Sequence, residues 1–244
     1  MTWSIVAVEK ETGNIGIAVA SRFFAVGSRV PCIASGIGGI ATQALVNSFF
    51  GTEGMRLLSE GASASETLER LTSGDAGRDH RQVHIVDSSG RSAAYTGSAC
   101  VDWCGSRAGD SFSVAGNMLA GVRVVDDTAA AYVASAALPF ARRLIAALKA
   151  GEAAGGDKRG KQSAAVVVYG EDVWPDLDLR VDDHVDPVAE LERLELVSRE
   201  RFVHFRQFLP SRRDPVGVTD RKVIDQRISE ALAAAKHDSP DGGV

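Results

Sequence analysis

Short runs of apolar, β-branched residues open the chain, first over residues 3–8 (WSIVAV) and then over residues 15–20 (IGIAVA). Runs of this length and composition are typical of β-strands. The Gly-Asn pair at residues 13–14 provides the positive-φ positions that a tight hairpin turn favours. Two more apolar runs, over residues 29–33 and 37–42, continue the pattern. The start of the chain therefore predicts a small antiparallel sheet.

The spacing of apolar residues becomes helical after Asn47. The sequence Ser-Ala-Ser-Glu at residues 63–66 resembles a capping box, which satisfies free backbone groups at a helix start. We predict helices over residues 49–58 and 63–71, and a longer helical stretch over residues 127–150, interrupted before Pro139. Further strands are predicted over residues 82–87, 91–95, 112–119, 163–169 and 177–181.

The predicted elements run as strands, helices, strands, helix and strand, without the regular alternation of a parallel sheet. This order predicts an α+β fold in which two mainly antiparallel sheets carry helices on their outer faces. From Pro187 onward the chain becomes charged and helical, with a linker at residues 210–215, a helix over residues 221–236 and a frayed tail. We expect a domain over residues 1–193 and a helical C-terminal extension over residues 194–244.

Composition narrows the classes of partner. The net charge of −5 and the pI of about 5.6 argue against nucleic acid or an acidic membrane as a partner. No basic, apolar leader and no 18-residue apolar run is visible, so we expect a cytoplasmic protein that does not bind a membrane. The three cysteines are too few and odd in number for a disulfide framework, and we expect reduced thiols.

Three segments suggest a cofactor or a metal, but none is complete. The loop over residues 155–163 nearly matches a phosphate-binding P-loop, yet Gln162 stands where Ser or Thr would hold magnesium. The pair Cys100 and Cys104 has no second Cys or His pair, and the acidic cluster at residues 182–186 has no further ligand group. We therefore expect no cofactor and no metal.

Thr2 follows Met1 directly and stands at the start of the first predicted strand. Removal of Met1 by an aminopeptidase would leave a hydroxyl nucleophile beside a free α-amine. That amine titrates near neutral pH and would serve as the base. The alternative is that Thr2 simply begins a strand, which β-branched residues favour.

The segment TWSIVAVEKETGNIGIAVASR resembles the opening hairpin of N-terminal-nucleophile (Ntn) hydrolases, which include the proteasome β-subunits. RVPCIASGIGGIAT is similar to the stretch that carries their lysine and oxyanion-hole glycine. SVAGNMLAG and GDKRGKQSAAVVVY resemble their serine-bearing glycine turn and their Asp-x-x-Ser turn. This resemblance implies a four-layer αββα sandwich, in agreement with the element order.

The chain more closely resembles a bacterial and archaeal family, domain of unknown function ten twenty-eight. The matching stretches cover about residues 2–193 and are VASRFFAVG, ATQA, RQVHIVD, GNMLAG, GGDKRGKQSAA and DLRVDDHVDP. Relative to the proteasome pattern, Ala20 replaces the catalytic aspartate, and Arg29 falls near the lysine. Arginine stays charged and cannot relay a proton. The resemblance thus implies a mechanism that depends on the α-amine alone.

We predict an Ntn-type amidohydrolase that cleaves a carbon–nitrogen bond in a small, amino-acid-derived substrate and forms a homo-oligomer. Backbone amides near residues 38–43 would hold the oxyanion. The alternatives are a non-catalytic binding or assembly protein on the same scaffold, and a hydrolase that uses Ser21. Asn117 has an equal alternative reading as a turn residue that satisfies the local backbone. Ser21 and Arg22, which end the second predicted strand, have an alternative capping or ion-pair role. The candidate catalytic residues are Thr2, Asn117 and Ser21, and the candidate substrate-binding residues are Arg22, Arg29, Gln43, Asn47, Asp157 and Ser163.

Overall fold

The computed structural model describes residues 2–237 of the chain. Ten strands and seven α-helices are found in this part. The strands are β1 (Thr2–Val8), β2 (Ile15–Ser21), β3 (Pro31–Ala34), β4 (Gly38–Ala44), β5 (Arg81–Asp87), β6 (Ser92–Thr96), β7 (Trp103–Gly109), β8 (Phe112–Leu119), β9 (Ser163–Tyr169) and β10 (Pro175–Val181). The helices are α1 (Phe49–Ser59), α2 (Ala64–Ser73), α3 (Arg123–Ala134), α4 (Phe140–Ala153), α5 (Pro187–Ser198), α6 (Phe202–Phe205) and α7 (Arg221–His237).

The strands form two sheets in which every pair of neighbours is antiparallel. The six-stranded sheet has the order β10-β9-β2-β1-β8-β7, and the four-stranded sheet has the order β3-β4-β5-β6. The prediction of an α+β fold with two antiparallel sheets is confirmed. β1 is an interior strand, hydrogen-bonded to β2 on one side and to β8 on the other.

Alternate residues of β1 point to opposite faces of the sheet, as in any strand. On one face, Val6 joins Ala41 and Val86 of the other sheet in a buried cluster. On the opposite face, Trp3 packs against α4, where a Cβ on Gly151 would lie 2.7 Å from its indole nitrogen. Helices α3 and α4 contact the six-stranded sheet, whereas α1 and α2 contact the four-stranded sheet. Thr2 and Ser4 lie on the same face as Val6, between the sheets.

The contacts divide the chain into a unit that ends at Glu192 and a second unit that begins at Arg193. The first unit holds both sheets and the helices α1 to α4. The second unit has a small core of its own, formed by Phe208, Ile224 and Ile228. In the described part of the chain, no helix is long and apolar enough to cross a membrane. The predicted frayed tail lies outside the described residues.

The structure corrects several predicted boundaries. The predicted interruption before Pro139 is confirmed, since the long stretch is two helices, α3 and α4, but the first of them begins at Arg123 rather than at residue 127. The predicted strand at residues 29–33 begins at Pro31, because a 3₁₀ turn (Val26–Ser28) precedes it. Strand β7 was not predicted at all. Its sequence, WCGSRAG, is composed largely of small and polar residues, and its burial is partial, so it shows no alternation of apolar residues.

Candidate functional site

Four polar residues form a row across one end of the six-stranded sheet. Thr2 pairs with Asn117 on one side and with Ser21 on the other, and Ser21 pairs in turn with Ser163. Direct partners in antiparallel strands place their side chains on the same face. All four residues are buried, and Thr2, the most exposed of them, is 7% exposed. The register therefore brings together both predicted hydroxyl nucleophiles and the predicted amide.

The centre of this row is a contact between two hydroxyl groups. Thr2 Oγ1 lies 3.1 Å from Ser21 Oγ. On the other side, the amide of Asn117 donates to the backbone carbonyl of Thr2 at 3.5 Å and to Gln82 Oε1 at 3.0 Å. Thr2 thus lies between a hydroxyl group and an amide that the neighbouring strands hold in place.

Ser163 has a different role from the one we expected. Its hydroxyl donates to the carbonyl of Phe23 and accepts from the backbone N–H of Val26, the latter at 3.1 Å. It is fully buried. Ser163 therefore fixes the chain that follows β2, and both of its hydrogen-bonding functions are used by the backbone rather than offered to a substrate.

We expected Gln43 to line a pocket. In the structure it lies between the two sheets instead. It accepts from Ser4 at 2.8 Å and donates to Gln82 Oε1 at 2.8 Å and to the carbonyl of Ala115 at 3.1 Å. Gln82 then donates to the carbonyl of Gly116 at 2.8 Å. Gln43, Gln82 and Ser4 are fully buried. The oxygen of Gln82 accepts from both Gln43 and the amide of the row, so a chain of hydrogen bonds links Ser4 to that amide.

A buried imidazole continues this network. The Nε2 atom of His84 lies 2.8 Å from the Ser4 hydroxyl, and its Nδ1 atom lies 3.1 Å from the Ser113 hydroxyl. Burial lowers the pKa of His84 to about 3, so the ring is neutral near pH 7. Its side chain has no exposed surface. His84 therefore connects the two sheets and is closed to any external substrate.

The carboxylate of Asp157 holds the end of β2. It accepts from the backbone N–H of Arg22 at 2.7 Å and from that of Arg159 at 2.9 Å, and it forms an ion pair with the Arg159 side chain. The Asp157 side chain is 1% exposed. Asp157 therefore acts through the backbone, positioning the residue next to Ser21, and its oxygens are already occupied.

A small cavity lies beside Ser21, on the helix-facing side of the row. It has a volume of about 110 Å³. Its wall includes Ser21 and Asp157 but not Thr2. The remaining lining residues are Trp3, Ala20, Glu152, Gly155, Gly156, Gly160, Lys161 and Pro187.

The other predicted binding residues lie elsewhere. Arg22 is exposed and borders an open depression of about 640 Å³ with Lys161 and His184. Asn47 lines a separate pocket of about 420 Å³ against α1 and α2, where its Oδ1 accepts from the backbone of Phe49. Arg29 is exposed and does not line the cavity beside Ser21. The structure thus does not gather these three side chains around the first residue of β1.

The predicted oxyanion amides are also placed differently. Residues 38–41 of β4 are paired with β3 on one side and with β5 on the other. A Cβ on Gly39 would lie 2.8 Å from Val6, four residues along β1 from Thr2. At residues 38–41 these amides are therefore used within the sheet. Gly39 lies toward the other end of β1, whereas the side chain of Gln43, at the end of the predicted stretch, contacts Ser4. Among residues 2–237, no group of three His, Cys, Asp or Glu side chains is arranged to hold a metal ion.

Sequence reasoning singled out Gln43 and Asn117 but missed three other residues of the network between the sheets. Ser4, Gln82 and His84 each interrupt an otherwise apolar strand. A polar residue at an inward-facing position of a buried strand needs a partner, because an unpaired buried polar group is costly. That signal was available in the runs WSIVAV and RQVHIVD. It does not show which residues pair, because the partners lie on different sheets.

Comparison with known proteins gives one consistent answer. A family model described as a family of unknown function, DUF1028, matches residues 2–191. Among solved structures, the chain is similar to the crystal structure of protein SPO2555 from Silicibacter pomeroyi, which is itself described with DUF1028. The identity is 36% and the TM-score is 0.84, over 90% of this chain and 96% of that one. No protein with a curated description matches significantly. The chain therefore belongs to the DUF1028 family.

Proposed function

We propose that the protein is an N-terminal-nucleophile amidohydrolase in which Thr2 attacks the carbonyl of a small amide. The proposal includes a four-layer αββα arrangement of the Ntn type. The single observation that carries it is the placement of Thr2 at the start of an interior strand, with its hydroxyl 3.1 Å from Ser21 Oγ. An interior strand fixes a reactive group in the way that catalysis requires.

The proposed reaction begins with cleavage before Thr2, which exposes an α-amine next to the hydroxyl. The amine takes the hydroxyl proton as Oγ1 forms a bond to the substrate carbonyl carbon. The carbon–nitrogen bond then breaks, and the leaving amine takes that proton. A water molecule hydrolyses the resulting ester, so that a carboxylic acid leaves and the hydroxyl is restored. Ser21 would orient Oγ1, and Asn117 would orient the backbone of Thr2.

The alternative is a non-catalytic binding protein on the same scaffold. The low exposure of Thr2 favours it, because a nucleophile must meet its substrate. Ala20 and Arg29, which stand in place of the aspartate and the lysine of the proteasome pattern, favour it too. On either reading we propose that the protein is cytoplasmic and that it self-associates through its outer helices. Analytical ultracentrifugation would test the self-association.

The decisive experiment measures the N-terminus and its reactivity together. Intact-mass spectrometry of the purified protein should show a chain that begins at Thr2, and incubation with a pooled library of amides and lactams should add mass at Thr2 alone. Thr2→Ala should abolish turnover, whereas Thr2→Ser should retain part of it. Thr12→Ala, which removes an exposed threonine of the first hairpin, is the matched control and should leave turnover unchanged.

Two outcomes would exclude the proposal. Active protein that retains Met1, or unchanged turnover in Thr2→Ala, would show that Thr2 is not the nucleophile. Retention of Met1 together with loss of activity in Ser21→Ala would instead identify Ser21 as the nucleophile. Reversible ligand binding with an unreactive terminus would support the binding protein.

A further inference from the structure

The loop between α4 and β9 crosses the front end of β1. In β8, Leu119 pairs with Trp103 of β7 on one side, so its backbone pairing with Asp157 lies on the other side, which faces β1. Because Thr2 pairs with Asn117, the position opposite Leu119 in this register is two residues ahead of Thr2. Asp157 therefore lies in the line of β1, just ahead of its first residue.

Polar contacts hold this loop on both sides of β1. The carboxylate of Asp157 accepts from the backbone N–H of Arg22, which follows Ser21 at the end of β2. The next residue, Lys158, forms an ion pair of 2.5 Å with Asp102, which directly precedes β7. In the sheet, β2 and β7 lie on opposite sides of β1. The loop is thus fixed across the start of β1 by a carboxylate and by an ion pair.

The fold covers the other approaches to Thr2. On its two edges, β1 is flanked by β2 and β8. The four-stranded sheet covers one face of β1 through β4 and β5, and α4 covers the opposite face. Thr2 is accordingly buried. A molecule that reaches this residue must therefore come from the front end of β1, where the loop lies.

Glycines with positive φ stand at both ends of the loop. Gly155 and Gly156 have φ values of +112° and +49°, and Gly160 has a φ of +108°. Residues with a side chain rarely adopt such values, whereas glycine adopts them without strain. The residues between these glycines, 157–159, carry the polar contacts that hold the loop. A short segment of this kind can move by changes of φ and ψ at its ends, as hinges do.

Two neighbouring spaces meet at the C-terminal end of the loop. Gly160 and Lys161 line the cavity of about 110 Å³ beside Ser21. Lys161 also borders the open depression of about 640 Å³. The guanidinium of Arg22, which borders the depression too, lies against the loop, since a Cβ on Gly160 would be 3.1 Å from its Nη1 atom. Movement of the loop would join the small cavity to the depression.

We propose that residues 155–160, the gate loop, form a gate that opens about its glycines and lets a small amide reach Thr2. In the closed state, the Asp157 carboxylate and the ion pair between Lys158 and Asp102 hold the gate loop across the front end of β1. In the open state, the small cavity joins the depression. The amide that passes the gate rests on the proposed function, whereas opening itself does not require Thr2 to react.

The test measures how fast iodoacetamide alkylates the thiol of Thr2→Cys in the full-length protein. Peptide mass spectrometry separates this position from the three native thiols. We expect the thiol to react at least tenfold more slowly in the folded protein than in urea, because reaction requires local opening. Cys32 is the internal reference. It is half-buried in β3 and packs near Gly51 of α1, so it reports any general loosening of the fold.

Weakening the contacts of the gate loop should speed this alkylation. In the Thr2→Cys protein, Lys158→Met and Asp102→Asn each break the ion pair. Each should raise the rate about threefold, because partly exposed ion pairs contribute little. Both together should raise it no further, since they act through one contact. Asp157→Ala removes the carboxylate that holds β2 and should raise the rate at least tenfold, because hydrogen bonds to a charged group are lost.

Lys10→Met is the matched control for Lys158→Met. It also breaks an exposed ion pair between a lysine and an aspartate, Asp110, but Lys10 follows the other end of β1. We expect it to leave the alkylation rate at position 2 unchanged. Cys32 should react at the same rate in every variant.

The proposal is overturned if the thiol of Thr2→Cys reacts in the folded protein as fast as in urea. It is also overturned if Asp157→Ala leaves that rate unchanged or raises it only together with the rate at Cys32. Thermal unfolding shows whether this variant folds, and if it does not, Lys158→Met and Asp102→Asn decide in the same way. Unchanged alkylation together with loss of turnover in Thr2→Ala would exclude the gate and leave the catalytic proposal standing.

Discussion

The hydroxyl of Ser4 and the Nε2 atom of His84 lie 2.8 Å apart between the two sheets, and neither side chain has any exposed surface. Their contact joins β1 to β5, and the imidazole extends it to Ser113 on β8. The ring exchanges hydrogen bonds with two hydroxyl groups and with no carboxylate. Nothing in this contact compensates a positive charge, so the fold requires the neutral form of His84.

This requirement predicts an acid sensitivity of the fold. Burial lowers the pKa of His84 from 6.5 to about 3. Between these values the unfolded chain binds a proton that the folded chain does not, so stability falls as the pH is lowered through 6.5 toward 3. Linkage gives up to about 1.4 kcal/mol per pH unit, or about 2 kcal/mol between pH 7 and pH 5. Urea unfolding at the two pH values measures this loss.

The variant His84→Gln tests the assignment, because it keeps a polar side chain that cannot titrate. We expect it to be less stable than the wild type at pH 7 but to lose about 2 kcal/mol less on going to pH 5. His80→Gln is the control. His80 is exposed and directly precedes β5. Its replacement should therefore leave the loss of stability between pH 7 and pH 5 the same as in the wild type. An equal loss in the wild type and in His84→Gln would contradict the assignment.

The amide of Gln82 is the branching point of the network between the sheets. Its oxygen accepts from Gln43 and Asn117, while its nitrogen donates to the carbonyl of Gly116. We expect Gln82→Leu to lower the free energy of unfolding by about 3 kcal/mol, because it leaves two buried amide donors and a buried carbonyl without this partner. Urea unfolding at pH 7 measures the change.

Gln162→Leu provides the control for Gln82→Leu. Gln162 is half-buried and lies outside the network, and its side-chain amide donates to Asp183 in an exposed contact. Its replacement should change the free energy of unfolding by less than about 0.5 kcal/mol. Equal effects of the two substitutions would show that the network adds nothing to stability.

The sequence predicted the elements well where periodicity was strong. Both sheets, the hairpin at β1 and β2, and the start of α2 follow from apolar runs and turn residues that act locally. Strand β7 was missed because its small residues carry no periodic pattern. The successes and the failure have the same cause. The pattern of apolar residues along a segment shows only how that segment is buried, so a strand of small, partly buried residues such as β7 leaves no pattern.

The candidate site was less predictable. Asn117 and Ser21 could be placed beside Thr2 only through strand register, which joins residues far apart in the chain. Gln43 appeared to be a pocket residue because it stands near a strand-to-helix junction, but its amide pairs across the sheets with Gln82. The cavity beside Ser21 depends on how α4 packs on β1, which no single segment of sequence encodes.

The capping box of α2 was predicted from sequence and gives a simple test of local stability. Ser63 accepts from the backbone N–H of Glu66, and the Glu66 carboxylate accepts from the backbone N–H of Ser63. Ser63→Ala should lower the free energy of unfolding by about 1 kcal/mol. Ser65→Ala, at an exposed position of the same turn, should lower it by less. Urea unfolding of both variants measures the two changes. Equal effects would contradict the capping role.

Asp157 should control the order of the chain next to Ser21. Its carboxylate accepts from the backbone N–H groups of Arg22 and Arg159, so removing it frees two amides at once. We expect Asp157→Ala to lower the free energy of unfolding by about 2–3 kcal/mol and to speed hydrogen exchange at both amides. Asp157→Asn keeps one acceptor oxygen and should have a smaller effect.

Asp183→Ala is the control, because that side chain is exposed and accepts from a neighbouring side chain rather than from the backbone that follows β2. If exchange at Arg22 were the same in Asp157→Ala as in Asp183→Ala, the carboxylate would not be what holds the end of β2, and the position of Ser21 would have to depend on strand pairing alone.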